Sequence, residues 1–465
     1  MVMRRSLLAI GLLLALAAPS WGQQLDRRRL ARVVDSLVEA MRARRHVAGV
    51  TVLIAQGARP MLAKGYGVAD LDDDAPASVE TVYAIASITK QFTAATILQL
   101  ARENRLQLDD DVSKHLPGLP MVRGPLTLWQ LLHHTSGIPG IGSLPDPYWA
   151  RRDYTREEFL RLLETAYLGR DPLFAPGTGW AYRDINYVIL AMVIEKITGR
   201  TLWEVFRERF FVPLGMTATA QCDPAVVMKH RARGYVVNDK APMGVVPAPY
   251  VSPSVGFGNS GLCSSVEDLL TWQRALLDGR VIDSASYNLM KTPGALSDGR
   301  PHEYGLGLLV WPLGNETMVW HSGGIAGFTG MLMYLPGNDA TVIMLANGNS
   351  DPWIIGTALA RVARGLPLVT GLPLGRDELP RYAGTYEGSG VKAIVKERDG
   401  ELEAEVTGTS SARFLFSPRL LKQQDGSFAV SWEPESRMRF HITGERADSA
   451  ALSFGKTVIR LARTN

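Results

Sequence analysis

Ser87-Ile88-Thr89-Lys90 opens a helical pattern that runs to Asn104, with Phe92, Ala95 and Leu98 on one side. Residues three apart share a helix face, so this spacing sets the Lys90 amine beside the Ser87 hydroxyl. A serine hydroxyl is a poor nucleophile until a nearby base takes its proton, and a neutral lysine can be that base. A helix start adds positive potential and free N–H groups around a developing oxyanion. Serine is also an ordinary N-cap residue, so these four residues gain meaning only from what surrounds them. A second match, Ser453-Phe454-Gly455-Lys456, sits in a strand-like segment, where residues three apart point to opposite faces.

Upstream, Leu30, Val33, Val34, Leu37, Val38 and Met41 recur with the period of an amphipathic helix. Two strand-like segments follow, residues 50–55 and 61–68, separated by Gly57 and Pro60. Downstream, helical patterns recur at residues 126–133, 157–166, 186–198, 202–210 and 266–277. Strands return at 317–321, 328–334 and 341–346, the last two joined by the turn Pro336-Gly337-Asn338-Asp339. A helix over 354–364 closes the unit. Strands at both ends and helices between them predict an α+β fold: one antiparallel sheet built from both chain ends, flanked by helices, with a helical subdomain. Residues 23–365 form this domain, and 366–378, rich in Gly, Pro and Leu, read as a linker. Residues 379–465 carry short strands and turns without helical period, which predicts a small antiparallel barrel or sandwich.

The chain has 465 residues, 46% hydrophobic and 21% charged, a balance that excludes a disordered, collagenous or coiled-coil protein. Its 50 Lys and Arg against 46 Asp and Glu leave a net charge of +4, with no basic stripe of the kind a nucleic-acid binder shows. At the N-terminus, Arg4 and Arg5 precede an apolar run from Leu7 to Ala18 and the small residues Ser20 and Gly22. That reads as an export signal over residues 1–22, too short to span a bilayer, which predicts a periplasmic or secreted protein with no stable membrane insertion after cleavage. Cys222 and Cys263 make no C-x-x-C; two buried thiols are the preferred reading over a structural bridge.

Two further motifs give Ser87 its context. One is Tyr182-Arg183-Asp184, preceded by Phe174-Ala175-Pro176-Gly177-Thr178-Gly179-Trp180-Ala181. The other is His321-Ser322-Gly323-Gly324 at a strand end. With S-x-x-K they stand in the order S-x-x-K, Y-x-N (here with Asp last) and K-T-G or its H-x-G variant. The chain thus resembles the serine β-lactamase and penicillin-binding-protein-like hydrolases, closest to the class C branch that also holds esterases and D-amino-acid peptidases. Tyr83-Ala84-Ile85-Ala86, Leu131-Leu132-His133-His134-Thr135-Ser136-Gly137 and Tyr304-Gly305-Leu306-Gly307 fit the same family, over roughly residues 25–365.

The resemblance implies roles. Ser87 attacks a carbonyl carbon and becomes acylated; Lys90 and Tyr182 share the proton work, with His321 beside them to help lower the phenol's pKa. The N–H groups of Ser87 and Gly324 form the oxyanion hole, and Asp184, Ser322 and Gly323 contact substrate. No metal or organic cofactor is implied, and the partner is a small-molecule or peptide substrate. The C-terminal barrel resembles a lipocalin-like appendage of some relatives.

Two positions depart from the family pattern. His321 replaces a lysine, and a partly charged imidazole is a weaker receptor for a substrate carboxylate. Asp184 replaces an asparagine, and an ionised carboxylate has no N–H to offer a substrate carbonyl. Asp184 is expected to pair with Lys90, His321 or a substrate ammonium, and Arg183 to point elsewhere and help neutralise it. Pairing with Lys90 would raise the lysine pKa and make it a poorer base. The expected activity is hydrolysis of an ester or amide, such as a peptide or a D-amino-acid peptide. The alternatives are a β-lactamase or D,D-carboxypeptidase, and a non-catalytic peptidoglycan-binding scaffold on a decayed hydrolase fold. His133-His134 lacks an H-E-x-x-H context and reads as structural. Gly256-Phe257-Gly258-Asn259-Ser260-Gly261 follows prolines rather than a strand and does not read as a dinucleotide loop. No G-x-S-x-G elbow occurs.

Overall fold

The computed structural model describes residues 27–45, 47–119, 124–141, 148–348, 352–398, 400–408, 418–431, 433–454 and 457–464. The export signal expected over residues 1–22, and Gly455 and Lys456 of the second S-x-x-K, lie outside them.

Helix α1 (Arg27–Arg45) leads into strand β1 (Gly49–Gln56), which is buried along every residue but the last. Strands β2 (Arg59–Asp70) and β3 (Ala75–Pro76) extend the sheet on one side. The chain then leaves for helices that include α2 (Lys90–Arg102), α3 (Asp184–Thr198) and α4 (Val266–Leu277). It returns as β4 (Leu309–Leu313), β5 (Glu316–Ile325), β6 (Phe328–Leu335) and β7 (Ala340–Ala346), and ends this unit with α5 (Pro352–Ala363). The sheet order is β3-β2-β1-β7-β6-β5-β4. The first and last strands in sequence meet at its centre, with Val50 opposite Ala346 and Ile54 opposite Val342, all antiparallel. This is the sheet from both chain ends that the sequence predicts.

The two central strands are buried along every residue but Gln56 because the sheet is covered on both faces. Side chains alternate. Val50, Val52 and Ile54 meet Leu30, Val34 and Val38 of α1 and Leu359 of α5, while Leu53 and Ala55 face Phe92 of α2 and Trp272 of α4. The Ser87 turn therefore lies on the α2 side of the sheet, and α1 and α5 on the other.

Three features were not legible beforehand. Strand β5 runs on through Ser322-Gly323-Gly324 to Ile325, past the expected end at residue 321. Glycine disfavours strands, but here the ladder with β6 carries it: Gly323 pairs with Gly330 and Gly324 with Thr329. Second, Cys222 and Cys263 form a disulfide, which corrects the reading of two buried thiols. Cys263 lies in a short strand, Leu262–Ser264, that pairs with Ala220–Gln221 and so brings Cys222 alongside. Third, part of the linker is docked. The Leu366 N–H donates to Arg361 O at 2.8 Å and the Leu372 N–H to Lys422 O at 2.8 Å.

Eight strands between Gly384 and Arg463 close into an antiparallel barrel. Its interior is filled by side chains, among them Leu379, Tyr386, Phe428 and Met438, and Tyr382 lies edge-on to Phe428.

A Cβ at Gly323 would overlap the Ile85 carbonyl, whereas one at Gly324 would meet nothing. Gly323→Ala should therefore destabilise the protein by about 1–3 kcal/mol. Gly324→Ala should stay within about 0.5 kcal/mol of wild type. Denaturant unfolding of both variants checks the pair; equal stabilities would contradict the close packing of β5 on the serine turn.

Candidate active site

Ser87 sits on a single 3-10 turn, Ala86–Thr89, and α2 begins at Lys90. A 3-10 turn eclipses residues three apart, so it aligns Ser87 with Lys90 more closely than the α-helix expected there. Ala86 takes φ of +44°, a left-handed conformation costly for a residue with a Cβ. The turn packs on β5: Gly323 lies against Ile85 and Ala86, which brings exposed Gly324 beside Ser87.

The Lys90 side chain is fully buried. Its Nζ donates to Ser87 Oγ at 3.0 Å, to Asp184 Oδ1 at 2.6 Å and to the Asn259 carbonyl at 3.1 Å. Three acceptors match the three N–H groups of an ammonium. Burial pulls the Lys90 pKa below its ordinary value, and Asp184 opposes that pull. Asp184 is the first residue of α3, where a helix N-terminus favours negative charge. Desolvation raises its carboxyl, but Lys90, helped by its other neighbours, holds it below the usual carboxylate range. The Asn259 side chain, near the same carboxylate, lowers it further. More than half of the Asp184 side chain, 56%, is still open to solvent.

Tyr182 completes the cluster. The Lys90 Nζ stands 4.8 Å from its ring centre. Burial, and then the negative charge of Asp184, push its pKa well above the ordinary 10, so at neutral pH it is a phenol. Arg183 turns away: its Nη1 donates to Tyr182 O at 2.8 Å and its side chain passes beside Gly140. The ion-pair partner of Asp184 is Lys90, not Arg183, which corrects the expected help from that arginine.

His321 is placed differently from expectation. Its Nδ1 lies 2.6 Å from the Ser322 carbonyl, so that nitrogen carries the proton and Nε2 accepts from the Tyr304 hydroxyl at 3.0 Å. Burial, then the Lys90 charge, lower its pKa to about 3. A neutral imidazole with both nitrogens engaged neither binds a substrate carboxylate nor lowers the phenol's pKa. It reaches the cluster through Tyr304, with its ring centre 6.0 Å from that of Tyr182. Ser322 is buried, its carbonyl taken by His321.

Further residues of the site escaped assignment from sequence. Tyr304 was legible only as family context. Asn259 belongs to the glycine run set aside as a failed dinucleotide loop. That run wraps the lysine: Asn259 O accepts from Lys90, Gly258 O accepts from Thr93 at 2.7 Å, and the Leu262 N–H donates to Thr89 Oγ1 at 3.2 Å. His134 positions the tyrosine segment, its Nδ1 accepting from the Arg183 N–H at 3.2 Å and facing Asn186 Nδ2 at 3.0 Å. Its ring lies 4.4 Å from that of Tyr182. His133 instead bonds Trp129 O through Nδ1 at 3.1 Å. The two histidines are separately locked into the structure.

Residues 34–364 match the family model described as Beta-lactamase. Over 332 residues the chain is 31% identical to Protein flp of Staphylococcus aureus (strain N315), covering 68% of this chain and 63% of that protein. It thus spans less than two thirds of that relative's length. The solved structure of the octameric penicillin-binding protein homologue from Pyrococcus abyssi superimposes with a TM-score of 0.67 at 25% identity, over 93% of this chain and all of that one. That of a D-stereospecific amidohydrolase from Streptomyces sp. does so with a TM-score of 0.58 at 29% identity, over 68% of this chain and 94% of that one. With the serine turn, the lysine, the tyrosine and the glycine strand edge gathered at one place, the chain belongs to the β-lactamase family of serine hydrolases, in its penicillin-binding-protein-like and amidase-like company.

Proposed function

We propose that the protein hydrolyses an amide or ester bond next to a free amino group, such as that of a D-amino-acid amide or peptide, through an acyl-enzyme on Ser87. The observation that carries this reading is the half-exposed side chain of Asp184, ion-paired with the nucleophile's lysine. A substrate ammonium finds an anion there, whereas a substrate carboxylate meets Asp184 and finds His321 neutral. The amidohydrolase likeness points the same way.

At rest the cluster holds a lysine ammonium, an aspartate, a phenol and a hydroxyl. The reactive form has lost one proton from Lys90. The neutral amine then takes the Ser87 proton as Oγ bonds to the substrate carbonyl carbon. The oxyanion is held by the N–H groups of Ser87 and Gly324. Tyr182 gives its proton to the departing nitrogen or oxygen and is resupplied from the Lys90 ammonium. Water reverses the sequence and frees the acid. Asp184 sets the cost of the first step, because its charge favours the ammonium. A substrate ammonium beside Asp184 weakens that hold, so the correct substrate makes its own base easier to generate. Export through residues 1–22 is part of the same reading, supported by the disulfide, which suits an oxidising compartment.

Intact-mass analysis after treatment with a fluorophosphonate, and separately with a penicillin, tests the nucleophile. An adduct on Ser87 is expected with the fluorophosphonate and, if at all, only slowly with the penicillin, and it is absent in Ser87→Ala, whose turnover should fall about a thousandfold or more. No adduct with any reagent would sink the enzyme reading and leave a scaffold. A panel of D-amino-acid amides, p-nitrophenyl esters and nitrocefin tests the substrate class. Faster cleavage of amides with a free amine than of their N-acetylated forms is expected, and the reverse order would overturn the role of Asp184.

Asp184→Asn removes the charge that favours the lysine ammonium. Lys90 then deprotonates at lower pH, so the acid limb of the kcat/KM profile should move down by about one pH unit or more. Nitrocefin hydrolysis at neutral pH should rise. An unmoved limb, or unchanged or slower nitrocefin turnover, would count against this account of the site.

A further inference from the structure

Past Gly324 the strand edge runs into a pocket. Ile325, Ala326 and Phe328 line it at the β5–β6 turn, and Ala84, Cys222 and Cys263 line it from the segment before Ser87 and its paired strand. Three stretches of chain lead from this lining to the nucleophile. Ala84 stands three residues before Ser87, Ile325 follows Gly324, and Ser260, also in the lining, follows Asn259, whose carbonyl accepts from Lys90. The polar members are engaged elsewhere. The Tyr250 hydroxyl donates to Asp153 Oδ1 at 2.6 Å, Arg231 Nη2 donates to Asp223 O at 2.8 Å, and Arg233 pairs with Asp72. Pro247, Pro249 and Pro253 bring no N–H to the lining. Such a surface favours an occupant that needs no hydrogen bonds. It is also held in shape. The Ala248 N–H donates to Gly234 O at 2.8 Å, and Gly327, at φ +81°, packs where a Cβ would overlap Ala248. The Cys222 N–H donates to Gly261 O at 2.8 Å, beside the disulfide.

Lys90 Nζ bonds both Asp184 and the Asn259 carbonyl, so the anion that receives a substrate ammonium and the chain leading into the pocket meet at one lysine. The amine and the side chain of an amino acid leave the same carbon. An acyl group on Ser87 can therefore set its ammonium at Asp184 and its side chain past Gly324. We propose that this pocket receives a large apolar side chain of the acyl group, with the Cys222–Cys263 disulfide, Ile325 and Phe328 as its specificity-determining walls. The proposal rests on the acyl-enzyme reading of Ser87 given above and narrows its substrate class to amides such as those of phenylalanine or leucine. Selectivity then follows the apolar area that the side chain buries.

The test is kcat/KM of the full chain for the D-amino-acid amides of alanine, leucine, phenylalanine and lysine, with fluorophosphonate labelling of Ser87 on the same preparation. The phenylalanine and leucine amides should exceed those of alanine and lysine by about tenfold or more. Ala326→Trp, which fills the pocket, should cut the phenylalanine-to-alanine ratio about tenfold. Cys222→Ala combined with Cys263→Ala, which removes the bridged wall, should lower the same ratio. A labelled enzyme that cleaves none of these amides, cleaves them all within about threefold of one another, prefers lysine, or keeps its ratio in either folded variant overturns the subsite and leaves the Ser87 reading standing. Failure of Ser87 to label overturns both. The wild-type series decides the case even where a variant fails to fold.

Discussion

A lysine ammonium with no solvent contact must find its hydrogen bonds inside the protein, and Lys90 finds all of them at one point: a serine, a carboxylate and a backbone carbonyl. Those acceptors come from three distant parts of the chain. The 3-10 turn supplies Ser87, the N-terminus of α3 supplies Asp184 and the glycine run supplies Asn259. Removing one partner of a buried pair leaves the other unsatisfied. This one side chain therefore ties the helical subdomain to the turn and sets the electrostatics of the nucleophile. Two opposed effects meet there. Burial favours a neutral amine able to act as a base, and the carboxylate favours the charged form.

The sheet provides the rigid side of the cleft. Its central strands come from opposite ends of the chain, and β5 carries His321 through Gly324 to the serine turn. Close contact of Gly323 with Ile85 lets the strand edge approach the nucleophile, and the open space at Gly324 leaves room for substrate. Behind the cleft, His134, Tyr304 and His321 form a neutral aromatic wall, with the His134 and Tyr304 rings 4.6 Å apart. That wall orients Tyr182 without adding charge, so Lys90 and Asp184 set the local field.

What could be read beforehand follows from locality. The amphipathic spacing of Leu30, Val34 and Val38, the strand-like runs at 50–55 and 61–68 split by Gly57 and Pro60, and the turn at Pro336-Gly337 are short-range signals, and they gave the sheet and its flanking helix. Ser87 and Lys90 were legible because three residues of spacing suffice. The Lys90–Asp184 pair was one of three options, and only coordinates choose between partners 94 residues apart. Other features depend wholly on tertiary neighbours. The neutral state of His321 comes from Tyr304 and its own strand carbonyl. The glycine run serves the lysine because it folds back over α2. The disulfide follows from pairing between Leu262–Ser264 and Ala220–Gln221. The docked linker follows from hydrogen bonds to Arg361 and Lys422. No periodicity or motif carries that information.

The central claim is that Asp184 keeps Lys90 charged in the resting enzyme. Selective 13C and 15N labelling of lysine, with the Lys90 signal assigned by its loss in Lys90→Arg, reads the protonation state directly from the side-chain chemical shifts. An ammonium signal at neutral pH, giving way to the neutral amine only on the alkaline side, is the expected result. A neutral Lys90 amine at pH 7 with Asp184 intact would contradict the account.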